Sequence, residues 1–207
     1  MKIFRTGNLH KGRLEAFSDG VFAIIITLLV LELKVPAIAE EHNSAALAGA
    51  LLALLPKFMS WVMSFVIVAI FWVNHHRFFN LLKHADNGLL WLNSLFLMLL
   101  SFIPFPTALL GEYHRTPLAV MFFGFVMTLA SVVFAWMRWY ASRHAGIMQD
   151  SVNASYLKKT TQQSFLWGPA AYFTATLTAL LHVYLAMALY ALIPLYFILP
   201  RNVEGTD

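Results

Sequence analysis

The chain has 207 residues, 60% of them apolar and 12% charged, with a mean hydropathy of +0.70. That balance excludes a water-soluble core and marks an integral membrane protein. A net charge of only +4 gives no reason to expect nucleic acid as a partner, and the lack of cysteine excludes disulfides, thiolate metal sites and thiol catalysis.

The first predicted helix covers about 13–34 and stops at Val35-Pro36, because proline disfavours helix in the residue before it. Lys2, Arg5, Lys11 and Arg13 ahead of an apolar run have the charge pattern of a secretory leader, and Ala37-Ile38-Ala39 mimics a cleavage site. Asp19 inside the run, with Glu32 and Lys34 after it, argues against cleavage. Only 20–31 is free of charge, about 18 Å of helix against a hydrocarbon core about 30 Å thick. Asp19 and Glu32 therefore fall near the hydrocarbon edges and must face protein or water. At about 100° per residue, Arg13, Phe17, Gly20, Ile24, Leu28 and Leu31 share one stripe, with Thr27 on its shoulder. Asp19 points about 140° from Ile24, so it is expected to look back into the bundle.

The second predicted helix, about 45–73, is longer than one span needs. Pro56 either kinks it or sets off a short helix before the spanning one, and a single kinked helix is the expectation. Residues 74–87, with His75, His76, Arg77, Lys83, His84 and Asp86, read as a polar turn. A third helix, about 88–110, is distorted at its far end by Pro104 and Pro106. The fourth starts at Pro117, a favourable first position, and reaches about 140. After the polar stretch 141–163, residues 164–199 are nearly uncharged and would measure about 54 Å as one helix. That length suits two spans, about 164–181 and 183–199, meeting in a tight turn at His182. Six spans put both termini on one side of the membrane. Of 14 lysines and arginines, only Lys34, Lys57 and Arg115 fall on the other side, so both termini are expected to be cytoplasmic. No polar block is large enough for a second domain, so 1–207 is read as one.

Arg13-x-x-x-Phe17-Ser18-Asp19, followed by Gly-Val-Phe-Ala-Ile-Ile-Ile-Thr-Leu-Leu-Val-Leu-Glu32, resembles the bacterial branch of the transmembrane-protein-175 family. Those are potassium channels unrelated to the usual tetrameric cation channels. Trp72-Val-Asn74-His75-His76, residues 86–93 and Pro104-Phe-Pro-Thr107 extend the resemblance over roughly the whole chain. It implies that the first helices of assembled subunits line the pore, with bulky apolar side chains instead of a carbonyl filter. It places Ile24 at the narrowest constriction and Thr27, Leu28 and Leu31 along the path outward. The motif occurs once, and one pore helix cannot enclose a path, so several subunits must surround an axis. The family's single-motif members are tetramers, which implies a homotetramer.

Ser18 and Asp19 need hydrogen-bond partners if buried. Asn74, His75 and His76 close the second predicted helix at the same depth, and Asn93 lies one to two turns into the third. The expectation is a polar lock in which Asp19 and Ser18 bond His75 or His76 and Asn93, fixing the angle of the pore helix. Phe17 and Trp72 belong to the same motif set. Adjacent histidines are poorly spaced for chelation on a helix, where partners come three or four residues apart, so no metal and no cofactor are expected. Arg13 is expected to pair with Glu15 in solvent, or to line the inner mouth. The sequence has no Gly-rich phosphate loop, no His-Glu-x-x-His and no Gly-x-Ser-x-Gly, which argues against an enzyme. Carboxylates at helix ends rather than mid-membrane argue against a secondary transporter. There is no Thr-Val-Gly-Tyr-Gly filter either.

The fold class expected is thus all-α, an integral membrane protein with six transmembrane helices per subunit in a homotetramer. The function expected is a leak-like, potassium-selective cation channel of the plasma membrane, with a hydrophobic constriction and potassium as the permeant ion. Its partners are the lipid bilayer and its own copies. Thr27, the only hydroxyl near the stripe, is the candidate for a coordinating ring. The rivals are a non-conducting scaffold or regulator, in which the first helix is an ordinary oligomer seam, and a small-solute transporter.

Overall fold

A computed structural model describes residues 11–39, 42–144 and 146–198. Lys2, Arg5 and Arg201, used above for charge, lie outside the described residues, as does the expected end of the last helix at Leu199. The described chain is helical. It comprises α1 (Lys11–Leu28), continued by a 3-10 turn at Leu29–Glu32, α2 (Ser44–Ala53) and α3 (Leu55–Asn80). These are followed by α4 (Asn87–Ser101), α5 (Pro104–Glu112), α6 (Pro117–Arg143), α7 (Ala154–Thr178) and α8 (Val183–Ile198).

Four stretches are long and apolar enough to cross a membrane: Lys11–Glu32, Leu55–Asn80, Asn87–Glu112 and Pro117–Arg143. The two remaining expected spans meet only part of that standard. α7 is long, but its first half carries Lys158, Lys159, Gln162 and Gln163, and the apolar part of α8 is short.

Local chemistry sets most boundaries. Asp86 caps α4 by accepting from the Leu89 amide at 2.8 Å, and Asn43 caps α2 by accepting from Ala46 at 2.9 Å. Pro56, Pro104 and Pro117 sit in first turns, where a missing N–H costs nothing. The core is built from aromatic edges. Phe22 of α1, Phe71 of α3 and Phe134 of α6 converge on Phe96 of α4, with ring centroids 6.3, 5.6 and 5.2 Å away. α6 runs along α7 and touches α4, α5 and α8, while α1 lies on α3 and α4. α8 approaches α6 closely at Gly124, where a Cβ would stand 1.9 Å from the Tyr190 hydroxyl.

Several expected boundaries move. The second predicted helix is not one kinked rod, because the chain breaks at Leu54, ahead of Pro56, into α2 and α3. Nor does it end at Val73. α3 runs on to Asn80, so Asn74, His75, His76 and Arg77 are helical rather than part of a turn. The polar letters concealed an apolar face, for Phe71, His75, Phe78 and Phe79 are all buried at helical spacing. The third predicted helix divides at 102–103 into α4 and α5, ahead of Pro104. The fourth extends to Arg143, and α7 begins at Ala154, ten residues before the expected start. Polar residues in the first half of α7 hid its helix from a hydropathy reading.

Candidate pore face and its buried polar anchor

α1 has two unlike faces. Leu14, Ser18, Phe22, Ile25 and Leu29 recur at four- and three-residue steps and are buried against α3 and α4. One residue along, Ile24 is 58% exposed, whereas Ile25 is 2% exposed. Phe17, Leu28 and Leu31 are also exposed, with Arg13, Gly20 and Thr27 beside them. The predicted stripe is therefore one continuous surface that the subunit itself leaves uncovered. Thr27 donates its hydroxyl proton back into its own helix, 3.0 Å from the Ala23 carbonyl and 2.9 Å from that of Ile24. With that proton engaged, the oxygen offers only lone pairs to whatever faces the stripe.

Behind this face lies a buried polar triad joining three helices. Ser18 Oγ of α1 donates to the Leu14 carbonyl at 2.8 Å and accepts from Asn93 Nδ2 of α4 at 3.0 Å. Asn93 Oδ1 stands 2.8 Å from His75 Nε2 of α3, which therefore carries the proton. Ser18, Asn93 and His75 are 0%, 0% and 2% exposed. The imidazole stacks on Phe79 at 4.1 Å and meets the edge of Phe22 at 5.5 Å. Every member has a partner, so the triad avoids the penalty of an unpaired buried polar group.

Other site residues stand differently from expectation. Asp19 does not look into the bundle. It is exposed, on the margin of the packed face, and accepts from Trp72 Nε1 at 2.9 Å. Ser18, one step round the helix, takes the inward position, and a carboxylate left in reach of solvent escapes desolvation. His76 does not join the lock either. It is exposed, stacks on Trp72 and lies 3.2 Å from Asn80 Nδ2. Asn74 is half-buried and stands outside the triad. Arg13 does not pair with Glu15, whose carboxylate lies 3.8 Å from Lys11, one helical turn away.

Three further contacts went unforeseen. Ser64 of α3 and Thr107 of α5 share a buried hydroxyl–hydroxyl bond of 2.7 Å, of which paired hydroxyls in apolar spans were the only sign. Lys57 and Glu112 form an ion pair beside a cavity of about 110 Å³ that Glu32 and Lys34 also line. Lys11 Nζ lies 3.1 Å from the carbonyls of both Phe79 and Leu82 at the end of α3. Among the described residues no group of three or more His, Asp or Glu converges.

A family model described as the endosomal/lysosomal potassium channel TMEM175 matches residues 13–104, which hold the motif and the whole triad. A protein from Chamaesiphon minutus named a potassium channel is 37% identical over 92% of this chain and 95% of its own. One from Streptomyces collinus, also named a potassium channel, is 36% identical over 91% of each. The crystal structure of a TMEM175 homologue from Chamaesiphon minutus, described as a lysosomal potassium-selective channel, superposes with a TM-score of 0.80. It is 35% identical over 90% of this chain and 95% of that one. With identity above one third running almost end to end, and the same helical fold, the chain belongs to the TMEM175 family of multi-pass membrane ion channels.

Proposed function

We propose that this chain is one subunit of a homotetrameric potassium channel whose pore is lined by the exposed stripe of α1. The single observation that carries the reading is the division of α1 into a fully packed face and an uncovered branched-apolar one, in a family whose bacterial members are named potassium channels. The same stripe holds Gly20, where a Cβ would meet open space, and an outward lone pair at Thr27. Helices converging on an axis use both. Ile24 forms the narrowest ring, Thr27 supplies oxygen ligands, and Leu28 and Leu31 line the outward path. Apolar rings of this kind close by dewetting. The Ser18–Asn93–His75 triad sets the angle at which each α1 meets the axis.

In this reading α7 and α8 complete six spans in a single domain of the plasma membrane, and the excess of basic residues on one side supports cytoplasmic termini. Potassium is the permeant ion and no cofactor takes part. Reconstitution into liposomes under a potassium gradient tests the proposal. Wild-type protein should carry potassium, and Ile24→Asn, which wets the ring, should change that flux severalfold. A silent wild type would support the scaffold instead, and flux indifferent to Ile24→Asn would put the path elsewhere.

A further inference from the structure

We propose that Lys11 is a positioning residue of the pore helix, and that it acts by capping the end of α3 jointly with Gln149 of the α6–α7 connection. The part played in the pore rests on the channel reading above. The last carbonyls of a helix have no i+4 partner within it. At the end of α3 the Leu81 and Leu82 amides turn back on the Phe78 and Phe79 carbonyls at 3.0 Å each, and outside groups add a second bond at Phe79 and supply the next three carbonyls. Lys11 Nζ bonds the carbonyls of Phe79 and Leu82 at 3.1 Å each. Gln149 takes the two between: its side-chain amide bonds the Asn80 carbonyl at 2.8 Å and its backbone N–H that of Leu81 at 2.9 Å. The Lys83 amide donates to Ile147 at 2.8 Å, and Lys83 Nζ to Asp150 at 2.7 Å, fastening the connection to the same turn.

Within its own helix the Lys11 ammonium reaches only Glu15, an (i, i+4) pair at 3.8 Å. The same ammonium sits on the negative end of α3, where a cation is favoured. Lys11 thus ties the first described turn of α1 to the end of α3. The 146–150 segment shares that helix end, so movement of the segment reaches α1 through a few hydrogen bonds.

Hydrogen exchange together with potassium flux tests this on the full-length protein in liposomes, using Lys11→Met, Lys11→Arg, Gln149→Ala and the double variant Lys11→Met/Gln149→Ala. Lys11→Met should speed exchange at the Leu82, Lys83 and Gln149 amides about tenfold, the scale of losing a charge-assisted bond, and Lys11→Arg should restore protection. The flux changes of the two single variants should fail to multiply in the double variant, as expected for residues acting through one shared element. Unchanged exchange in Lys11→Met, or flux effects that multiply independently, would overturn the proposal. A wild type that passes no potassium would sink the channel reading instead, and the exchange measurements, which need no conduction, would still decide whether Lys11 holds the end of α3.

Discussion

Thr27 differs from its neighbours on the stripe in one atom type, and its geometry decides what that atom can do. Because its proton is engaged within the helix at about 3 Å, the outward side of the oxygen can accept but not donate. Such a group suits a cation. Valine keeps the shape and removes the oxygen. Thr27→Val should leave conduction in place and lower the potassium-to-sodium permeability ratio severalfold, measured from reversal potentials. An unchanged ratio would discard the coordinating role. At this scale the sequence marked the right neighbourhood but not always the right side chain. Ser18 and Asp19 are adjacent and both polar, and only the depth of α1 against α3 and α4 shows which is desolvated.

Elements are joined here by few polar contacts, each with a large effect on geometry. Asn93 bonds α1 through Ser18 and α3 through His75, so one side chain of α4 registers three helices at a common depth. Leucine has the branching of asparagine but is bulkier and serves neither partner, and it leaves the His75 N–H buried and unpaired. Asn93→Leu should therefore destabilise by about 1–3 kcal/mol, lowering the Tm of the detergent-solubilised protein by several degrees. A Tm equal to wild type would show that the triad is incidental to packing. Outside the membrane spans, Lys83 beside Asp150 holds that carboxyl below its ordinary range, an exposed pairing that only trims the connection. Helices in apolar surroundings announce themselves by hydropathy. Their ends do not, which is why hydropathy places the end of α3 seven residues early and the start of α7 ten residues late.

In the whole molecule one face of α1 stays uncovered, whereas α6 is packed along α7. The absence of native cysteine makes the assembly testable without background. Under mild oxidation Ile24→Cys should form disulfide-linked pairs within the assembly. Cysteine at Phe125, an exposed position on α6, should not. Cross-linking of wild type should reach a four-subunit band and stop. Pairs from position 125 with none from 24 would place α6 at the interface and α1 in lipid.

By itself the sequence determined that this is a helical membrane protein, that the branched side chains of the first helix share one stripe, and which short motif carries its family. All of these depend on composition and on periodicity within a single segment, which are local quantities. Only the tertiary structure decided that His75 rather than His76 meets Asn93, that Ser18 rather than Asp19 turns inward, and that Lys11 serves a helix other than its own. Those outcomes depend on the relative depth and rotation of packed helices. A single residue step turns a side chain by about 100°, enough to move it from the core to the surface.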